Sequence, residues 1–294
     1  MDNDRQKTWT GERLETFVYS DNTNEHLHRY AMAMELAAGK KVLDIACGEG
    51  YGTALLAGVA AEVCGVDIDA GTVQHAIEKY QAANLSFTTG AADAIPYESR
   101  LFDVVVSFET IEHHDRHDAM MQEIKRVLKP NGILIISSPD KLYYSDRTGY
   151  KNPFHVKELY KDEFENLVRK YFLHANFYGQ RSLNGSVIVA LNNKGIDGDR
   201  LYSGAYEQVN AGSMEAVYCV AIASDENLPP GHNSVFDGAH ILRQQFIEFE
   251  KYITANVTEA VSHAVEYRIA RSWTYRIGSA IVRPFYKLKK ILHA

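Results

Sequence analysis

Lys41-Val-Leu-Asp-Ile-Ala-Cys-Gly-Glu-Gly-Tyr-Gly52 carries the reading from which the fold follows. Val42 to Ile45 is a short apolar run of the kind a buried parallel strand needs. It empties into a glycine-rich turn, and an apolar helix is predicted from Thr53 to Ala61. Gly48 and Gly50 let the backbone pass close to a ligand that a Cβ would obstruct. About 20 residues on, a second apolar strand, Val63-Cys-Gly-Val66, ends in Asp67, whose carboxylate can accept both hydroxyls of a ribose. Strand, glycine turn, helix, strand and acid together outline an adenosine site. A dinucleotide site wants G-x-G-x-x-G with a pyrophosphate on the helix N-terminus. Here the run is Asp44-x-Ala46-x-Gly48-x-Gly50. An acid at the strand end repels a pyrophosphate and suits the ammonium of an amino-acid tail.

Working outward, the chain alternates strand and helix. Strands are predicted at 41–46, 62–67, 84–88, 102–108 and 132–137, and helices at 51–60, 70–82, 115–128 and 160–171. Pro130-Asn-Gly132 reads as a turn. Late strands are predicted at 173–179 and 216–223. The result is an α/β, Rossmann-like, doubly wound sheet of seven strands, mostly parallel with an antiparallel closing pair. An N-terminal region, 1–40, carries one helix from Glu25 to Ala38. The central domain covers 41–225, and 226–294 forms a C-terminal helix and tail. The Gly-, Asn- and Ser-rich segment 180–213 is expected to form loops over the C-terminal edge of the sheet.

The chemistry is expected directly after the fourth strand. Open α/β sheets bind ligands at the C-terminal ends of their strands, and Glu109-Thr-Ile-Glu-His113 lies there. On a helical turn, positions 109, 112 and 113 would share one side. Two carboxylates and an imidazole suit Mg²⁺ or Mn²⁺. A weakly acidic hydroxyl bound there would need help in losing its proton, from a metal or a base. Three readings stay open: a metal at Glu109, Glu112, His113 and His155, a metal-free site with His113 or His155 as base, or a purely structural role for the run.

Motif I and Asp67 resemble the class I S-adenosylmethionine-dependent methyltransferases, over roughly residues 10–223. Leu101-Phe-Asp-Val-Val-Val-Ser-Phe108 resembles the fourth strand of that family, and Arg126-Val-Leu-Lys-Pro-Asn-Gly-Ile-Leu134 the turn into its fifth. The resemblance implies cofactor contacts from Tyr30, Asp44, Ala46, Gly48, Gly50, Asp67, Ile68, Ala92, Asp93 and Phe108. Asp67 would hold the ribose, and Ile68 would pack on the adenine. Gly90-Ala-Ala-Asp-Ala-Ile-Pro96 looks like the adenine-amino segment, with Asp93 two places after the usual acid position. The E-x-x-E-H run is similar to that of metal-dependent small-RNA 2′-O-methyltransferases and quinone O-methyltransferases. His155 stands where the RNA enzymes have a distal histidine. Catalytic roles are implied for His113, His155 and Glu109. Thr10-Gly-Glu-Arg13, His26-Leu-His-Arg-Tyr30 and Asn152-Pro-Phe-His155 resemble a bacterial subfamily associated with surface-glycan synthesis.

Charge bears on the partner. The 294 residues carry a net −7, yet nothing acidic follows Glu266, while Arg268, Arg271, Arg276, Arg283, Lys287, Lys289 and Lys290 do. Residues 1–267 therefore carry −14 and 268–294 carry +7. An acidic body disfavours RNA as acceptor. A basic tail of interleaved aromatic and aliphatic residues, 271–294, suits an anionic membrane surface. The expected acceptor is a sugar hydroxyl on a bacterial surface glycan or its nucleotide- or lipid-linked precursor. A 2′-O-methyltransferase of RNA ends and a non-catalytic cofactor-binding scaffold are the alternatives. Leu242, Phe246, Phe249, Ile253, Val257, Ala260 and Ala264 form one helical stripe in 236–267, for packing on its own domain or for a homo-oligomer. Three cysteines make no disulfide framework, and the polar first residues make no secretory leader. The expectation is a cytoplasmic protein that can attach to the inner face of the membrane.

Overall fold

The computed structural model describes residues 10–183, 201–206, 208–212 and 214–271. Its main sheet contains β1 (Lys41–Ile45), β2 (Glu62–Asp67), β3 (Leu85–Thr89), β4 (Phe102–Ser107), β5 (Leu128–Pro139), β6 (His174–Gln180) and β9 (Tyr218–Ser224). The strand order is β3-β2-β1-β4-β5-β9-β6. β1 to β5 pair in parallel, and β9 is inserted antiparallel to both β5 and β6. The helices of this unit are α1 (Asp21–Ala37), α2 (Tyr51–Ala57), α3 (Ala70–Lys79), α4 (His117–Val127) and α5 (Lys161–Tyr171). This is the seven-stranded Rossmann-like architecture that the strand–helix alternation predicts.

The period of two along each strand divides the core between the faces of the sheet. Val42 of β1, Val104 and Val106 of β4 and Ile135 of β5 pack with Tyr30, Ala33 and Ala37 of α1 and Leu56 of α2. Leu43, Ile45, Val105, Leu134 and Ile136 pack with Met120, Met121 and Ile124 of α4 and Phe164 and Val168 of α5. Asp44 follows Val42 by two, so its carboxylate enters the face held by α1 and α2. That register decides its partners.

Three local expectations need correction. Pro130-Asn-Gly132 is not a turn outside the strand. β5 runs from Leu128, and the register with β4 jumps from Phe102↔Leu128 to Val104↔Ile133. The turn chemistry is absorbed as a bulge, which leaves extra residues unpaired on one strand. Within 180–213, the described part is an antiparallel hairpin of β7 (Leu201–Ala205) and β8 (Gln208–Gly212), not only loop. Glu109-Thr-Ile-Glu-His113 does not form one helical turn. Glu109 sits at φ 50°, and only Ile111–His113 makes a short 3₁₀ turn. A left-handed residue between strand and turn breaks the spacing of three and four that would have aligned the side chains.

The chain divides into two compact units, Met1–Gly238 and Ala239–Ala294. In the second, α6 (Ala239–Arg271) is a 33-residue helix. Leu242, Phe246, Phe249, Ile253 and Val257 of the predicted stripe are exposed. Most of the basic tail, from residue 272 on, lies outside the described residues. Among the described residues no helix is long and apolar enough to cross a membrane.

Candidate active site

The glycine turn is built to hold Asp67 at its rim. Cys47 donates its backbone N–H to the Val66 carbonyl at 2.9 Å, which keeps the ends of β1 and β2 together. Gly48 N–H reaches Asp67 Oδ2 at 2.9 Å, and Asp69 N–H reaches Oδ1 at 3.0 Å. Arg13 approaches the same Oδ1 at 3.3 Å. Gly50 sits at φ 93°, and a Cβ there would lie 2.8 Å from the Phe87 ring, so glycine is required on both counts. Ala46 shares the left-handed conformation, at φ 57°. Ile68 is 71% exposed just beyond Asp67, an apolar side chain left uncovered at the turn. Gly90 N–H meets the Asp67 carbonyl at 3.0 Å, which brings the 90–96 segment to this rim. There Ala92 is partly buried against the core, while Asp93 is paired with Arg116 at 2.6 Å.

Behind the turn, Asp44 is buried. It accepts from Thr53 Oγ1 at 2.8 Å and from the Tyr30 hydroxyl at 3.2 Å. Burial pushes its carboxyl up to about 7, against the pull of those two donors. Tyr30 therefore acts from beneath, as a support for Asp44 under Gly52; a Cβ on Gly52 would come within 1.9 Å of the Tyr30 ring. Phe108 is also buried, edge-on to Tyr30 at 5.1 Å. Tyr30→Phe is expected to destabilise the fold by about 1 kcal/mol, the net contribution of one such hydrogen bond. Urea denaturation reads that change. An unchanged midpoint would mean that the hydroxyl contributes nothing to holding Asp44.

At the neighbouring strand ends lies a second, more acidic cluster. Glu109 closes β4 and turns toward β5: its N–H donates to Ser137 Oγ at 3.1 Å, and that hydroxyl donates to Glu109 Oε1 at 2.5 Å. Arg29 of α1 is 1% exposed. It donates to Gln180 Oε1 at 2.7 Å and stands 3.8 Å from Glu109 Oε1, its guanidinium 5.1 Å from the centre of the Tyr218 ring. Its partners come from three separate strands or strand ends, Glu109 after β4, Gln180 of β6 and Tyr218 of β9, and periodicity along α1 does not reveal them.

Glu112 is 1% exposed, and neither of its carboxylate oxygens has a partner among the described residues. Burial first, then the charge of Glu109, raises its carboxyl well above the usual range. Its carbonyl accepts from Val156 N at 2.8 Å and Lys157 N at 3.0 Å, which draws the 152–158 loop over it. His155 arrives on that loop. One ligand atom each from Glu112, His113 and His155 lie within 4.8 Å of one another. The two imidazoles meet edge to face, 5.2 Å apart. His113 Nδ1 faces the Phe154 carbonyl at 3.1 Å, so that nitrogen donates and Nε2 keeps its lone pair. Burial, then His155, lowers the pKa of His113. The structure thus brings together three of the four residues expected to hold a metal. Glu109 lies beside them, engaged with Ser137 and Arg29. A buried carboxylate lacking any donor, next to an imidazole lone pair, is a donor set that fits a divalent cation.

The strand order and a glycine turn facing an acid at the end of β2 define a Rossmann-like methyltransferase fold. The comparisons agree: residues 43–136 match the methyltransferase domain family. The chain is similar to a protein named as a probable S-adenosylmethionine-dependent methyltransferase in Mycolicibacterium smegmatis, with 35% identity over 162 residues, 54% of this chain and 62% of that one. It is also similar to a fatty-acid O-methyltransferase of the same species, with 29% identity across 42% of this chain and 47% of that one. The chain thus spans less than two thirds of the length of these relatives. In fold it is similar to an S-adenosylmethionine-dependent methyltransferase structure from Thermotoga maritima, with a TM-score of 0.50, 19% identity and coverage of 69% of this chain and 90% of that one.

Proposed function

We propose that this chain is an S-adenosylmethionine-dependent O-methyltransferase, assisted by a divalent cation and acting on a sugar hydroxyl of a bacterial surface glycan or its precursor. The observation that carries the reading is the pairing of two sites on one sheet edge. The glycine turn with Asp67 suits an adenosine, and the Glu112–His113–His155 cluster suits a hard cation beside it.

Each residue then has a task. Asp67 offers its carboxylate to the ribose hydroxyls, held in place by Gly48 and Asp69. The exposed Ile68 offers an apolar surface to the adenine. Glu112, His113 and His155 would hold the cation, Mg²⁺ or Mn²⁺, which when bound supplies Lewis-acid lowering of a hydroxyl pKa. Arg29 balances the charge of Glu109. Tyr144 stacks on His155 at 5.2 Å and closes that side of the cluster. The glycan itself rests on the sequence resemblance and on the acidic body of the chain.

The test is mass spectrometry of surface glycan from cells with and without the protein, paired with transfer of labelled methyl to purified glycan and to RNA oligomers. A mass decrement of one methyl per modified sugar in cells without the protein, and no label on RNA, are expected. Label on RNA ends with an unaltered glycan would move the assignment to the RNA enzymes.

A further inference from the structure

We infer that Glu158 and Asn152 lock His155 into a single imidazole tautomer, with the proton on Nδ1 and the Nε2 lone pair offered to the Glu112–His113 cluster. Its purpose rests on the metal-assisted reading above, but its geometry does not.

The orientation of one amide decides the tautomer. Asn152 Oδ1 accepts the backbone N–H of Phe154 at 3.0 Å, which fixes which way the side-chain amide points. Its Nδ2 is then the atom that faces His155 Nε2, at 3.0 Å, and Nδ2 also donates to the Tyr144 hydroxyl at 3.1 Å. An amide nitrogen can only donate. His155 Nε2 must therefore hold a lone pair, and in a neutral ring the proton sits on Nδ1. There it meets Glu158 Oε1 at 2.6 Å. That carboxylate is itself positioned by the Ser145 hydroxyl at 2.8 Å. Both side chains of the pair are less than a tenth exposed, at 8% and 9%. The Tyr144 ring stacks on His155 and prevents it from rotating away.

A carboxylate behind a ligand histidine fixes the tautomer and strengthens the donor nitrogen on the other side. Glu158 is thus a positioning residue, acting through His155. Asn152 occupies the Nε2 lone pair in the absence of anything better. A cation or an acceptor proton would take that lone pair from it. His113 reaches the same state by a different route, through the Phe154 carbonyl. In both rings the lone pair is then on Nε2, and one ligand atom of each lies within 4.8 Å of the other and of Glu112.

Full-length protein labelled with ¹⁵N-histidine tests this. Two-bond proton–nitrogen spectra distinguish the tautomers, and the His155 signals are identified by their loss in His155→Gln. Wild type should show His155 in the Nδ1–H form. Glu158→Ala should release it to a mixture. Glu158→Gln should retain it, since the amide oxygen still accepts. An Nε2–H ring in wild type, or an unchanged Nδ1–H ring in Glu158→Ala, overturns the inference. S-adenosylmethionine calorimetry confirms that each variant is folded, and the wild-type spectrum alone is decisive if Glu158→Ala is not. Mn²⁺ titration of the same samples, followed by electron paramagnetic resonance, separates this from the metal reading. Wild type should take up Mn²⁺, and Glu158→Ala should bind it about 10–100-fold more weakly. Equal affinity in both would remove the role of Glu158. A wild type that takes no Mn²⁺ would refute the metal reading and leave the tautomer to stand on the spectra.

Discussion

Glu112→Gln is expected to abolish methyl transfer while leaving cofactor affinity within a factor of about two. The loss should be about 10²–10³-fold, or about 3–4 kcal/mol of barrier, the scale on which a Lewis acid assists a weakly acidic hydroxyl. A buried carboxylate with no donor costs free energy, unless it is protonated or paired with a cation. Within the described residues the only buried guanidinium at this site, Arg29, faces Glu109. Among the described residues nothing donates to the Glu112 carboxylate oxygens, and the nearby charge of Arg29 offsets burial and Glu109 only in part. Glutamine keeps its shape and removes its charge, so the apo protein should be no less stable than wild type. Unfolding at equal or higher temperature, together with lost transfer, separates a functional lesion from a folding one. Excess chelator on wild type should mimic the variant, and Mg²⁺ or Mn²⁺ should restore activity. Full turnover in chelator would remove the metal and leave His113 or His155 as the base.

Much of this molecule is legible in the sequence, for identifiable reasons. Strands buried on both faces are continuous apolar runs, so β1, β2 and β4 are readable to within a residue or so. The Asp44-to-Gly50 turn is readable because positive φ and close approach restrict its residue types. What is not legible depends on direction in space. Periodicity predicts a helical turn at 109–113, but Glu109, in a left-handed conformation, bonds to Ser137 of β5 and stands beside the ligand cluster rather than in it. Tyr30 was read from the family as a cofactor contact. The structure adds a role that the sequence does not show, a hydrogen bond from the Tyr30 hydroxyl to Asp44. Arg29 gave no signal, since a buried arginine looks like a surface one in a sequence. Glu158 gave a faint one: it lies three places after His155, close enough for the loop to bring the two together. The E-x-x-E-H run supplied the chemistry of the site, and the 152–158 loop supplied its geometry. Two main-chain bonds from that loop to the Glu112 carbonyl make the connection, and no side-chain pattern encodes them.

Asp67→Ala is expected to weaken S-adenosylmethionine binding by about 1–3 kcal/mol, roughly 5–150-fold, because charged hydrogen bonds to two ribose hydroxyls are lost. The structure adds a second source of loss. The Asp67 carboxylate is also the acceptor for Gly48 N–H, so its removal loosens the turn that the rest of the cofactor must cross. Asp67→Asn separates the two effects. The asparagine oxygen can still accept from Gly48, while its amide group no longer offers a charged acceptor to both hydroxyls. The order of affinity should therefore be wild type, then Asn, then Ala. Isothermal calorimetry with S-adenosylmethionine and with its demethylated product reads all three, and the product should show the same order because it carries the same ribose. NAD should bind none of them, since the acid of β1 and the missing third glycine leave no seat for a pyrophosphate. Equal affinities across the series would mean that the ribose lies elsewhere and that Asp67 serves only to tie β2 to the glycine turn.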